Sequence, residues 1–149
     1  MSLLTPSLRL MLKGNADRSL RLGRVDPLPL VKLFNPIGTA MWIATELYDD
    51  GDTLFGLADL GLGEPEMGCF SLGEIERIHL PLGLGIQRDR AFFTRHHLSV
   101  WHATARRTRS IRDAEVILAR SAFAGRWEAP LPPPVSPIGK PPTGKPRSG

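Results

Sequence analysis

Hydrophobic and polar positions change period several times along the chain, and each change marks an element. In "TPSLRLMLKGN", Leu8, Met11 and Leu12 recur at the three- and four-residue spacing of one helix face. Thr5 before Pro6 reads as an N-cap followed by a proline whose missing N–H costs nothing at the first helical position. Gly14-Asn15 reads as the stop. Residues 15–28 keep no period and predict a basic connector.

From residue 29 the pattern becomes extended segments parted by turn chemistry. "LPLVKLF" ends at Asn35-Pro36-Ile37-Gly38, "TAMWIATELY" at Asp49-Asp50-Gly51-Asp52 and "TLFGLADL" at "GLGEP", after which "EMGCF" follows. Strict alternation puts Met41, Ile43, Thr45 and Leu47 on one face of the second segment and Trp42, Ala44 and Glu46 on the other. Both faces carry apolar bulk, so helices are expected over at least part of the second. Ser71-Leu72-Gly73-Glu74 opens a helix as a capping box, and "IQRDRAFF" is a candidate fifth strand. Ser99 and Ser110 read as N-caps of helices at about 100–107 and 111–121, with Trp101, Ile111, Val116, Ile117 and Leu118 as their apolar contacts. The fold class expected is α+β: an antiparallel meander of four to five strands, with covering helices at the N-terminus, after strand 4 and at the C-terminus.

The chain of 149 residues suits one domain, placed at residues 1–124. Residues 125–149 are expected to be a disordered tail, since eight of the last twenty residues are proline. Cys69 is the one cysteine, so no internal disulfide can form. No apolar run approaches the roughly 20 residues that cross a bilayer, and the N-terminus lacks a signal-peptide pattern. A cytoplasmic location without membrane contact is the expectation.

Charge changes the picture more than the net +4 suggests. Residues 1–24 hold five basic side chains and one acid, residues 25–94 four and eleven, and residues 95–149 ten and three. An acidic middle between basic ends bears on partners rather than fold. Glu46, Asp52, Asp59, Glu64, Glu66 and Asp89 could supply a metal or an acid-base pair, but no D-x-D or H-E-x-x-H spacing organises them. His79, His96, His97 and His102 lack a zinc spacing. Ser71 has no nucleophile elbow around it, and Gly83-Leu84-Gly85 precedes a strand rather than the helix a phosphate loop needs. Thus no catalytic residue, metal site or cofactor is assigned. Glu46 shares its expected face with Trp42, and as a half-covered acid it wants Lys32 or Arg88 as partner. Lys32, Asn35, Trp42, Glu46, Arg88 and Asp89 are the candidate binding residues. Arg106, Arg107, Arg109 and Arg112 are the candidate nucleic-acid contacts, although Asp113 and Glu115 would face phosphates unfavourably in a helix-turn-helix arrangement.

The segments "VKLFNPIGTAMWIATEL", "DTLFGLADLG", "EMGCFSLGEIERIHLPLGLGIQRD" and "LSVWHATARR" together resemble domain of unknown function 2958, from about Leu3 to Arg120. The resemblance implies a small bacterial protein of plasmids and integrative or conjugative elements, and no activity. Cys69, Gln87 and Arg90 depart from the usual pattern, and Gln87 cannot act as a general base where an acid is common. The function expected is therefore a non-enzymatic accessory protein of a mobile element that binds a protein or nucleic acid through segregated charge. The alternatives are an acidic DNA mimic inhibiting a host defence system, a direct nucleic-acid binder through the C-terminal arginines, and a small hydrolase or transferase using Glu46, Arg88 and Asp89.

Overall fold

The computed structural model describes residues 2–23 and 25–128, with side chains as far as residue 121. Thr5 Oγ1 accepts from Leu8 N at 3.1 Å and starts α1, Pro6–Leu22. The helix does not stop at Gly14-Asn15. A side chain at Gly14 would meet nothing within 4 Å, and Asn15 Nδ2 donates to Thr45 O at 2.9 Å, which fixes the helix to the sheet instead of ending it. The stop is Gly23, at φ 77. The buried stripe is Leu12 and Ala16 with Leu8 half covered, whereas Met11 is 51% exposed, so one of the three expected face positions points outward.

Five strands follow: β1 Val31–Phe34, β2 Met41–Leu47, β3 Thr53–Asp59, β4 Glu66–Ser71 and β5 Gln87–Arg88. They form one antiparallel sheet in the order β4-β3-β2-β1-β5, so the meander is as expected and the fifth strand is shorter than "IQRDRAFF". A short helix α2, Leu72–Glu76, follows β4, and α3, Leu98–Thr108, and α4, Ile111–Glu128, follow β5. Leu4, Leu12, Leu33, Trp42, Leu54 and Ile75 belong to one core cluster, which holds α1 and α2. Met41, Ile43, Leu57, Trp101, Ala105 and Ile111 belong to another, which holds α3 and α4. Every residue of β2 is buried as a result. In α4 the stripe is Ile111, Ala114 and Leu118, while Val116 and Ile117 are 48% and 39% exposed.

Strict alternation fails in β2. A β-bulge between Ala44 and Glu46 inserts Thr45, whose Oγ1 donates to Phe55 O at 3.3 Å. Past the bulge Leu47 joins Trp42 and Ala44 in the first cluster, while Glu46 faces Phe55, which packs on the second. Leu47 and Glu46 thus exchange the faces that alternation gives them. The chain divides into two compact units, Met1–Leu118 and Ala119–Gly149, and the described part of the second is the end of α4. Helical backbone reaches Glu128, beyond the expected end at 121 and into the first four residues of the tail expected at 125–149; residues 129–149 of that tail lie outside the described residues.

Gly56 opposes Ala44 beside the bulge, and a Cβ there would stand 1.9 Å from Ile43 O. The two backbones can approach this closely only without a side chain. Gly56→Ala is expected to cost about 3 kcal/mol, read as a lowered urea midpoint with an unchanged slope.

Candidate functional site

Eleven carboxylates between residues 25 and 94 are enough for acid-base or metal chemistry, so their partners decide what they can do. Three of them meet helix starts that are remote in sequence. Asp52 accepts Gly73 N at 2.7 Å and Ser71 Oγ at 2.7 Å, at the start of α2. Asp26 accepts Ser99 N at 2.9 Å and Ser99 Oγ at 2.6 Å, at the start of α3. Asp59, 3% exposed, accepts Ile111 N at 2.9 Å at the start of α4 and Gly61 N at 2.8 Å in its own turn. First-turn N–H groups lack helical acceptors and carry the positive end of the helix dipole, so a carboxylate answers both needs.

This arrangement corrects two expectations. Ser71 Oγ does accept from Glu74 N at 3.1 Å, but the carboxylate that completes that cap is Asp52 and not Glu74. Ser99 lies inside α3, and the cap position belongs to His97, which makes no side-chain cap bond. Ser110 does cap α4, accepting from Asp113 N at 3.1 Å. Asp26 holds its place at φ 55, a left-handed conformation that aspartate tolerates better than most residues, and its carbonyl meets His97 Nδ1 at 2.7 Å.

Lys32 is the centre of the second cluster of charge. It lies on β1, 8% exposed, and its Nζ is 3.0 Å from Asp89 Oδ2 and 2.8 Å from Glu115 Oε2. Asp89 is placed by the sheet edge, where its N–H donates to Lys32 O at 3.0 Å. Burial works against the ammonium, and the hydrogen bonds and attraction of Glu115 and Asp89 outweigh it, so the lysine pKa lies above its ordinary value. Burial likewise pushes the Asp89 carboxyl up, but Lys32 and Ala91 N more than reverse this and hold it below the carboxylate norm. The sequence offers Lys32 to Glu46, so Asp89 was missed as its partner, and so was Glu115. Its signal was its position: it is one helical turn beyond the buried Ile111.

The candidate binding residues do not form one cleft. Asn35 Oδ1 accepts Ile37 N at 2.9 Å and closes its own turn, and Trp42 is 5% exposed within the core. Glu46 is 1% exposed, and its Oε2 accepts from Ser19 Oγ at 2.9 Å beside a groove of about 430 Å³ that Tyr48 and Asp49 also line. Arg88 Nε donates to Leu3 O at 2.8 Å. Arg88 pairs with Leu33, and Leu33 with Trp42, so two strand spacings and four further residues part Arg88 from Glu46, on the order of 15 Å between backbones. Glu46, Arg88 and Asp89 therefore sit in three separate surroundings. The histidines are dispersed as well, with His96 Nε2 at 3.2 Å from Leu118 O, and among the described residues no group of three His, Cys, Asp or Glu side chains is arranged to hold a metal.

The arginines do come together. Arg106 and Arg107 lie in the last turn of α3, Arg109 ends it at φ 67, and Arg112 opens α4 with its guanidinium 3.1 Å from Gly38 O. All four are exposed. Among the described residues no carboxylate reaches ion-pair distance of Arg106, Arg107 or Arg109, although Arg106 and Arg109 share a cleft of about 300 Å³ with Glu64 and Glu66. Cations at a helix C-terminus are also favoured by its dipole, which accounts for part of this placement without any ligand.

The Lys32 cluster has a measurable consequence for stability. The contribution of Asp89 is present above its ordinary pKa of 3.8 and is lost as pH falls through the lowered folded value. That of Lys32 is complete below 10.5 and is lost as pH rises through the raised folded value. Lys32→Met leaves two carboxylates facing each other and is expected to cost about 2 kcal/mol at neutral pH, since both acids keep partial contact with water. Its stability–pH profile, measured by urea unfolding, is expected to be flatter than that of the parent on both the acid and alkaline limbs.

Neither the curated proteins nor the solved structures compared with the chain include a match. A family model described as "Protein of unknown function (DUF2958)" matches residues 3–112. That span runs from the N-terminal segment held by Arg88 through all five strands to the arginine corner and the first turn of α4, so the chain belongs to the DUF2958 family.

Proposed function

We propose that this protein acts by binding a macromolecule, as a non-enzymatic accessory protein of a bacterial mobile element, and that its arginine corner between α3 and α4 holds the phosphate backbone of nucleic acid. The observation that carries the reading is an asymmetry in how charge is engaged. Asp26, Asp52 and Asp59 face helix starts, Asp89 and Glu115 face Lys32, and Glu46 is buried. Arg106, Arg107 and Arg109 project from one corner without such partners among the described residues. Side chains whose charge is not answered within the fold are the ones that can release counterions from a polyanion.

An acidic DNA mimic has correspondingly less to display, chiefly Asp49, Asp50, Glu64, Glu66 and Glu74. A hydrolase or transferase built on Glu46, Arg88 and Asp89 would need one cleft where three surroundings exist. The binding is read as backbone contact without base readout, because Asp113 and Glu115 near the start of α4 would oppose a recognition helix in a groove.

Fluorescence anisotropy of a labelled DNA duplex with the full chain tests this. With three or four phosphate contacts, affinity is expected to fall about 40- to 150-fold between 50 and 200 mM salt. The triple variant R106Q/R107Q/R109Q is expected to bind at least about tenfold more weakly and to lower the salt slope by about 3. Binding that ignores salt, or that the triple variant leaves intact, contradicts the reading, as does no binding at low salt.

A further inference from the structure

The two edges of the sheet differ. β5 has two residues, and the N-terminal segment is fixed beside it, with Leu3 O accepting from Arg88 Nε and Leu3 N donating to Glu76 Oε2. β4 is six residues long, contains no Pro or Lys, and keeps an unbroken register against β3. Short length, charge, proline and bulges are usual devices that keep an edge from pairing, and of these β4 has only the charge of Glu66, at its first position.

The direction of its backbone groups follows from the register. Leu72 N donates to Asp52 O, so every second residue back along β4 also turns its N–H and C=O toward β3: Phe70 to Leu54, Gly68 to Gly56 and Glu66 to Ala58. Met67 and Cys69 turn theirs the other way, to the side where no strand pairs among the described residues, and so does the N–H of Ser71, whose C=O as the N-cap of α2 already serves the first turn of that helix. A second copy of the same strand, antiparallel and centred on Cys69, sets Met67 against Ser71 of the other copy, Cys69 against Cys69 and Ser71 against Met67. This register engages all three residues, for about four hydrogen bonds, since Ser71 O stays with α2. A register centred on Gly68 instead would set Ser71 against Pro65, which has no N–H to give. Charge agrees with the first register. Glu66 is the one charged residue of β4, and the two copies of it fall at opposite ends of the pairing, roughly 20 Å apart, where salt screens them.

We propose that two copies of the chain join along β4 by antiparallel strand pairing centred on Cys69, giving one continuous ten-stranded sheet. Gly68 and Phe70 keep their bonds to β3, so each copy retains its own fold. The pairing brings the exposed Cys69 side chains onto one face, with Cα atoms about 5.5 Å apart. Cys69 is the chain's one cysteine, so a short bis-maleimide reports this contact and no other.

Light scattering on the full chain after size-exclusion is expected to give twice 16.4 kDa, and bis-maleimide a covalent dimer. Cys69→Pro removes an outward N–H and none of the bonds that Gly68 and Phe70 make to β3, and Cys69→Glu sets two like charges directly opposite at the centre. Each is expected to give a monomer with the parent circular dichroism. If Cys69→Pro does not fold, Cys69→Glu and the crosslink decide. A parent monomer at micromolar concentration, a dimer unchanged in either folded variant, or a dimer that yields no Cys69 crosslink overturns the proposal.

Discussion

A helix inside a folded chain has to find acceptors for its first N–H groups, and three of the four α-helices among the described residues find them in aspartates from other elements. Asp52 lies 21 residues from Gly73, Asp59 52 residues from Ile111 and Asp26 73 residues from Ser99. Each contact joins a turn, a strand end or the connector before β1 to the start of a helix that packs on the sheet, so placing the helix and satisfying its terminus are the same event. For Asp59 the requirement is strict, since it is buried and a buried N–H left without an acceptor costs about 1–3 kcal/mol.

The same contacts explain which parts of the fold were legible in the sequence. Strands bounded by Asn-Pro-x-Gly and Asp-Asp-Gly, and helices begun by Thr5-Pro6 and Ser71, are local signals, and they appear where the sequence places them. Signals that depend on remote partners were not legible. Gly14-Asn15 looks like a stop until Asn15 meets Thr45 on the sheet. Ser99 looks like a cap until Asp26 takes that role. Alternation in β2 holds until Gly56 lets the neighbouring backbone close in and Thr45 is left as a bulge, which hands Leu47 and Glu46 to opposite faces.

The candidate site divides along the same line. Lys32 and Asp89 were both candidates, but the partner expected for Lys32 was Glu46; Asp89 meets it at the sheet edge, and Glu115 enters only when α4 folds across the second face of the sheet. Asn35, Trp42 and Glu46 drew attention as polar or aromatic residues in strands and turns, and the fold gives them a turn, a core and a buried hydrogen bond. About half of the acids of the middle are therefore an internal resource of the fold, whereas Arg106, Arg107 and Arg109 between α3 and α4 stay outside it.

The central claim is that carboxylates of the acidic middle serve remote helix starts, and amide hydrogen exchange measured by NMR tests it most directly. The Ile111 amide, although in the first turn of its helix, is expected to exchange as slowly as the amides of β2. An Ile111 amide that exchanges at the rate of an open helix end would contradict it.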